Sequence, residues 1–166
     1  MEEYWDLYTI DGEPLNQKVI RGNEFPLGAY HRIVHIWIVN EDGEYLIQKR
    51  AQNLNWYGGR WAATSGSVQS GHQDLMAEAY RELKEELGLS FAEIDLEHEG
   101  DLIIGQSLVT VFKGYLPKYM IRTIQHNEEV EDIRWMKKSK ILDCIKKDEF
   151  VPYSDELYSM VFRIKF

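Results

Sequence analysis

The sequence predicts an α/β (α+β) fold, an α/β/α sandwich around a mixed sheet. Three observations carry this. Residues 30–39 (Tyr-His-Arg-Ile-Val-His-Ile-Trp-Ile-Val) show no polar alternating set, so the segment reads as a strand buried on both faces. Residues 74–87 repeat apolar side chains at helical spacing. Strand and helix patterns then interleave over a chain of 166 residues, a length that fits one domain spanning 1–166.

Taken in order, residues 4–10 form a strand, followed by the turn signal Asp11-Gly12-Glu13-Pro14, with Lys18 to Arg21 returning as its partner. After the strand at 30–39, Asn40-Glu41-Asp42-Gly43 makes a hairpin turn into 44–50. A loop rich in aromatics and glycine runs from Asn53 to Arg60, and Trp61 to Ser65 resumes extended structure. The helix at 74–87 has Asp74 as its cap and Gly88 as its left-handed terminator. Met76, Ala79, Tyr80, Leu83 and Leu87 form its sheet-facing stripe. Strands follow at 101–115 and 129–136. One helix starts near Ser139, and another follows Pro152 with Ser154 as its cap.

Composition narrows the function. Hydrophobic residues make up 44% of the chain and aromatics 13%, enough for a core without disulfides or structural metal. Lys and Arg number 19 against 28 Asp and Glu, a net charge of −9. Such a balance argues against a nucleic-acid polymer bound nonspecifically through its phosphate backbone, which needs a basic surface. A small phosphorylated ligand remains open, because a bound metal inverts the local sign of a site. The one cysteine, Cys144, excludes an internal disulfide and a Cys-based zinc site, and reads as a small buried hydrophobe. The N-terminal residues carry no signal-peptide pattern and no stretch is long enough to span a bilayer, so the expected location is the cytoplasm.

Glu82, Glu85 and Glu86 are spaced i, i+3, i+4 and share one patch of the helix. Like charges so placed cost a few tenths of a kcal/mol, roughly, per pair. A solvated acidic helix, with Arg81 and Lys84 as partial compensation, is one account. A divalent cation is the other, since hard oxygen ligands are what Mg²⁺ takes, with substrate phosphates completing its shell.

Upstream stands Ser65-Gly66-Ser67-Val68-Gln69-Ser70-Gly71, and the helix ends in Arg81-Glu82-Leu83-Lys84-Glu85-Glu86-Leu87-Gly88-Leu89. Together they resemble the signature of the Nudix hydrolases: a Gly, five residues, a Glu, seven residues, then Arg-Glu-aliphatic-x-Glu-Glu-x-Gly-aliphatic. The second half matches at every specified position. The lead-in from Tyr4 to Arg21, the strand at 30–39, Gln48-Lys49-Arg50 and Trp61 look like the isopentenyl-diphosphate-isomerase-like branch. The first half departs from the signature. Counted from Gly66, the Glu position holds His72; counted back from Arg81, it holds Gln73. One residue is inserted in the loop at 69–73, where the family's Glu supports loop and helix. His72 by itself reads as a solvated loop side chain.

The resemblance implies a Nudix-like sandwich and a Mg²⁺-dependent pyrophosphohydrolase, with Mn²⁺ as an alternative ion. Its substrate would be a small molecule with a diphosphate linkage, typically a nucleoside diphosphate joined to another group. The implied metal ligands are Glu82, Glu85, Glu86, a main-chain carbonyl near Ser65–Gly66, and Glu129. Glu82 or Glu129 would take the proton from the attacking water, with Glu128 and Glu131 as rivals to Glu129. Arg81 would orient Glu85 or the loop. Lys49 and Arg50 can meet phosphate or form a solvated face, and Trp56 and Tyr57 can stack on a ring or close over the core. A homodimer is compatible with all of this.

Two other functions fit less well. A Nudix-fold sensor without turnover accounts for the altered loop but not for the three clustered carboxylates. The isomerase needs a Cys after the Trp61 position and a metal-binding His two residues later, where this chain has Gly66 and Val68. His31 matches a metal His of the isomerase but alone reads as a strand histidine.

Overall fold

The computed structural model describes residues 1–164. Residues 165 and 166, which the single-domain expectation includes, lie outside the described residues. In chain order the strands are β1 (Tyr4–Tyr8), β2 (Pro14–Ile20), β3 (His31–Val39), β4 (Tyr45–Arg50), β5 (Trp61–Ala62), β6 (Thr64–Ser67), β7 (Leu96–Ile104), β8 (Ser107–Tyr115) and β9 (Val130–Met136). Helix α1 (Leu75–Leu87) lies between β6 and β7, a 3-10 turn (Lys118–Thr123) precedes β9, and α2 (Lys138–Lys146) and α3 (Asp155–Phe162) follow it.

The mixed sheet runs β5-β4-β3-β8-β7, with β6 added on β3 and β9 on β4. β3 and β8 are parallel in register from His31↔Ser107 to Val39↔Tyr115. Successive strand side chains point to opposite faces. Ile36 and Ile38 therefore join Leu46, Phe112 and the α1 residues Leu83 and Leu87 on one face. Trp37 joins Tyr45, Ile47, Val111 and the residues Ile141, Cys144, Leu157 and Phe162 of α2 and α3 on the other. The sandwich expected from the sequence is the observed one, and β3 is buried on both faces because helices cover both. Cys144 is buried in this second layer, as its small apolar character predicts.

Element boundaries differ in several places: β1 ends at Tyr8 rather than residue 10, and the extended segment after Trp61 is two strands, β5 and β6, reaching Ser67. β2 begins at Pro14 rather than near Lys18, because a proline at a strand's first position forfeits no ladder donor. The segment expected as strand over 101–115 is a hairpin that starts at Leu96 and turns at Gly105 (φ 57°). Its polar start, Leu-Glu-His-Glu-Gly, is an edge strand with one face in solvent and an irregularity at His98/Gly100.

β3 and β4 meet at Val39↔Tyr45 and then diverge. β6 takes over β3 from Ile33↔Ser67 to Ile36↔Thr64, which brings it beneath α1. Among the described residues no helix is long and apolar enough to cross a membrane.

Candidate active site

Both caps of α1 form as the sequence predicts. The Asp74 side chain accepts from the Ala77 N–H at 3.0 Å. Gly88, at φ 67°, donates its N–H to the Lys84 carbonyl, and the Leu89 N–H donates to that of Leu83. With the sheet-facing stripe buried, helix phase turns Glu78, Glu82 and Glu86 inward and leaves Glu85 at the surface, its side chain 55% exposed. The three carboxylates of the signature share a region of the helix but not one environment.

Glu82 lies against the backbone of Gly66 on β6. A methyl group built on Gly66 would sit 2.6 Å from Glu82 Oε2 and closer still to Oε1 and Cδ. The glycine is thus the seat of this carboxylate, and Ser65 precedes it on β6. Burial pushes the Glu82 carboxyl up to about 8; Arg81 opposes the shift, while Glu86 and Glu85 add to it. Glu86 accepts from Gln48 Nε2 at 2.5 Å, and the Gln48 carbonyl in turn accepts from Thr64 Oγ1 at 2.9 Å. Burial raises Glu86 to about 7, with the Gln48 hydrogen bond opposing and the charge of Glu129 adding to the rise.

Arg81 binds carboxylates on three sides. Its Nη1 donates to Glu85 at 2.8 Å and its Nη2 to Glu82 at 2.5 Å. Nε and Nη2 also reach Glu78, at 3.2 and 2.9 Å. Arg81 thus meets Glu85, the partner expected from the sequence, and Glu82 and Glu78 besides. Burial favours the neutral form of Glu78, yet Arg81 and His72 outweigh it and hold this carboxyl below its ordinary value.

The loop at 127–129 docks on the end of α1, where the Asn127 N–H donates to the Glu86 carbonyl at 3.1 Å. Of the three acids there, Glu129 is close enough for its charge to act on Glu86, whereas Glu131 lies 3.8 Å from Lys49 Nζ. Arg50 is on the Glu86 side as well: its charge lowers the Glu86 carboxyl. Its Nε donates to the Trp56 carbonyl at 2.9 Å and its guanidinium stands 5.3 Å from the Trp56 ring centre. Trp56 is 54% exposed, so the ring closes over Arg50 rather than into the core.

Two histidines differ in outcome. His31 is a buried strand histidine, 2.8 Å from Ser107 Oγ, as expected. His72 is not simply solvated: its side chain is about half exposed and its Nδ1 meets Glu78 Oε1 on α1. The sequence reading passed over Glu78, Gln48, Thr64 and Asp6. Asp6 accepts from Ser70 Oγ at 2.7 Å and from the Gly71 N–H at 2.8 Å, tying β1 to the loop. Glu78 had a visible signal, its i−3 spacing from Arg81; the others had none.

Among the described residues no group of three or more His, Cys, Asp or Glu side chains already converges as a metal cage. Arg81 holds Glu82 and Glu85 from the guanidinium side. The donor set nevertheless suits a hard cation. Two buried carboxylates, Glu82 and Glu86, stand one helical turn apart, and burial raises both against the opposing charges of Arg81 and Arg50.

Comparison with known proteins agrees with this chemistry. The NUDIX domain model matches residues 29–159. The chain belongs to the Nudix family, hydrolases that act on pyrophosphate bonds and generally use a divalent metal. It is 32% identical over 160 residues to the uncharacterized Nudix hydrolase lin0387 of Listeria innocua, covering 92% of this chain and 90% of that one. It is 31% identical over 112 residues to the nucleoside triphosphatase NudI of Escherichia coli, covering 60% and 77%. In fold it is similar to DR0079 of Deinococcus radiodurans, with a TM-score of 0.79 at 20% identity over 97% of this chain and 98% of that one.

Proposed function

We propose that the chain is a single-domain, Mg²⁺-dependent pyrophosphohydrolase cleaving the diphosphate linkage of a small, nucleoside diphosphate-linked substrate. The observation that carries this is the buried pair Glu82 and Glu86, one seated on Gly66 and the other fixed by Gln48. Glu82, Glu85, Glu86 and a carbonyl near Ser65–Gly66 would hold the metal, with Glu129 at the edge. Bound there, divalent metal supplies charge neutralisation for the diphosphate and a water of lowered pKa.

The chain's own residues contribute orientation and proton transfer. Glu82 has its carboxyl raised towards the working pH, which suits a general base at a water oxygen, and Glu129 is the rival for that role. Gln48 and Thr64 fix the Glu86 carboxylate in one orientation. Arg50 offers a guanidinium for a phosphate oxygen, and the Trp56 ring a face for a base. NudI's activity as a nucleoside triphosphatase supports a nucleotide-like substrate. Gly66 and Val68, standing where the isomerase needs Cys and His, favour hydrolysis over isomerisation.

The test is a product-resolved screen of nucleotide sugars, dinucleotides, nucleoside triphosphates and isopentenyl diphosphate in Mg²⁺, Mn²⁺ or chelator. Metal-dependent release of a nucleoside monophosphate or of pyrophosphate is expected. Conversion of isopentenyl to dimethylallyl diphosphate overturns the proposal, and so does no turnover of any substrate. Glu129→Gln should lower kcat more than it changes KM, and Glu131→Gln should not.

A further inference from the structure

We infer that Glu78, together with His72, is the positioning residue that holds Arg81 and the 69–72 loop in the geometry Glu82 requires. The inference rests on the proposed metal-dependent site and concerns how this chain braces it.

Glu78 is 3% exposed, and groups from two segments converge on its carboxylate. The Gln69 N–H approaches Oε2 at 3.4 Å and His72 Nδ1 meets Oε1, both from the loop. From one helical turn further on, Arg81 donates through Nε to both oxygens at 3.2 Å and through Nη2 to Oε2 at 2.9 Å. A single buried carboxylate therefore joins the loop after Gly66 to the arginine beside Glu82. The signature's own Glu position offers nothing equivalent: Gln73 is exposed, and His72 is a partner of Glu78. The acid that links loop and arginine is supplied from the helix, and His72 and Gln69 meet it from the loop.

Arg81 carries one positive charge for three acids. Glu85 is half exposed and Glu82 faces Gly66, so a cation recruiting both would strip Arg81 of two partners. Glu78, fixed from both sides, is the partner that stays. It keeps the guanidinium from following Glu82 and competing with the cation.

The probe is Mn²⁺, with free ion read by electron paramagnetic resonance on the full chain, alongside kcat, KM and the metal-free melt. Glu78→Gln keeps the size and loses the charge; Glu78→Ala is the harsher variant, and if it does not fold the Gln variant carries the test. We expect Glu78→Gln to weaken Mn²⁺ binding about tenfold or more and to lower kcat with little change in KM, the range seen when outer partners of metal ligands are removed. The effect should shrink when Arg81 is already Gln, because Glu78 acts through it. A lower melting temperature with unchanged Mn²⁺ affinity and kcat would mark Glu78 as merely structural and overturn the inference, leaving the proposed function intact. Full additivity with Arg81→Gln would also overturn it. A parent that binds no Mn²⁺ would remove both the proposed function and this inference.

Discussion

Gln48 donates to Glu86 across 2.5 Å while its own carbonyl accepts from Thr64, so one amide on β4 orients a buried acid on α1 and a hydroxyl on β6. Both ends of the amide have partners that settle which end is which: the carboxylate needs a donor and the hydroxyl supplies one. Gln48→Leu keeps the volume and removes both bonds, leaving Glu86 and Thr64 buried without them. Metal-free stability should fall by roughly 1–3 kcal/mol, the cost of an unsatisfied buried polar group. Thr64→Val, which spares Glu86, should cost less, on the order of 1 kcal/mol. Urea melts in chelator measure both. Equal losses would mean that Glu86 does not depend on the amide.

Where the sequence was legible, local pattern and tertiary burial agreed. The α1 stripe and its caps were readable because helix period, Asp74 and Gly88 are each local signals. The signature singled out Glu82 and Glu86 as candidates but not their burial, which comes from the helix packing over the sheet and β6. Glu78 was illegible as a buried acid because an isolated helix gives Glu at that position no reason to leave water. Its partners arrive from the 69–72 loop and from Arg81 only after folding. Gln48 and Asp6 were missed for the same reason, their partners lying 38 and 64 or 65 residues away.

The β1–β2 hairpin is fastened to the loop by Asp6, which accepts from Ser70 and Gly71, while the Ser70 N–H donates to the Tyr4 carbonyl at 2.8 Å. This hairpin lies outside the 29–159 segment that the family model matches. Asp6→Ala should therefore release the loop without unfolding α1, at a cost of about 1–2 kcal/mol for charged hydrogen bonds near the surface. Hydrogen exchange should quicken at 69–72 and in β1, with protection of 79–87 retained. Uniform loss of protection across both segments would show instead that the hairpin is part of the main cooperative unit.

His31 gives a stability change with pH whose sign follows from its burial. Its ring packs against Trp5 and Phe25, with centroids 4.6 and 4.9 Å away, and burial lowers its pKa from 6.5 to about 4. The folded state therefore prefers the neutral ring. The contribution is fully present above 6.5 and is lost as pH falls from there towards about 4. The shift corresponds to roughly 3 kcal/mol. His31→Leu loses the Ser107 contact at every pH but has nothing to titrate. Its deficit relative to the parent, read from urea midpoints at successive pH values, should narrow between pH 7 and 4.5. A deficit constant across that range would mean that the ring is charged, or reaches water, in the folded protein.

The last prediction separates the site from the fold through Gly66. Its backbone does not need a glycine conformation, since no positive φ is recorded there, unlike Gly59 or Gly88. A strand position without that need gains roughly 0.5–1 kcal/mol from Ala over Gly. What alanine adds is a methyl group inside the space of the Glu82 carboxylate. That carboxylate is the end of a flexible side chain, so it can swing away at modest cost, but only by breaking with Arg81 and leaving β6. Gly66→Ala should thus melt within about 1 kcal/mol of the parent in chelator, because the backbone gain offsets the displacement. It should lose most of the thermal stabilisation that Mg²⁺ gives the parent by mass action, and nearly all hydrolysis. The clash also makes a statement about additivity. Once Glu82→Ala has removed the carboxylate, the added methyl should do no further harm to Mg²⁺ binding or stability. If Gly66→Ala instead hydrolyses at the parent rate, Glu82 does not need this seat, and its place in the proposed metal site is lost.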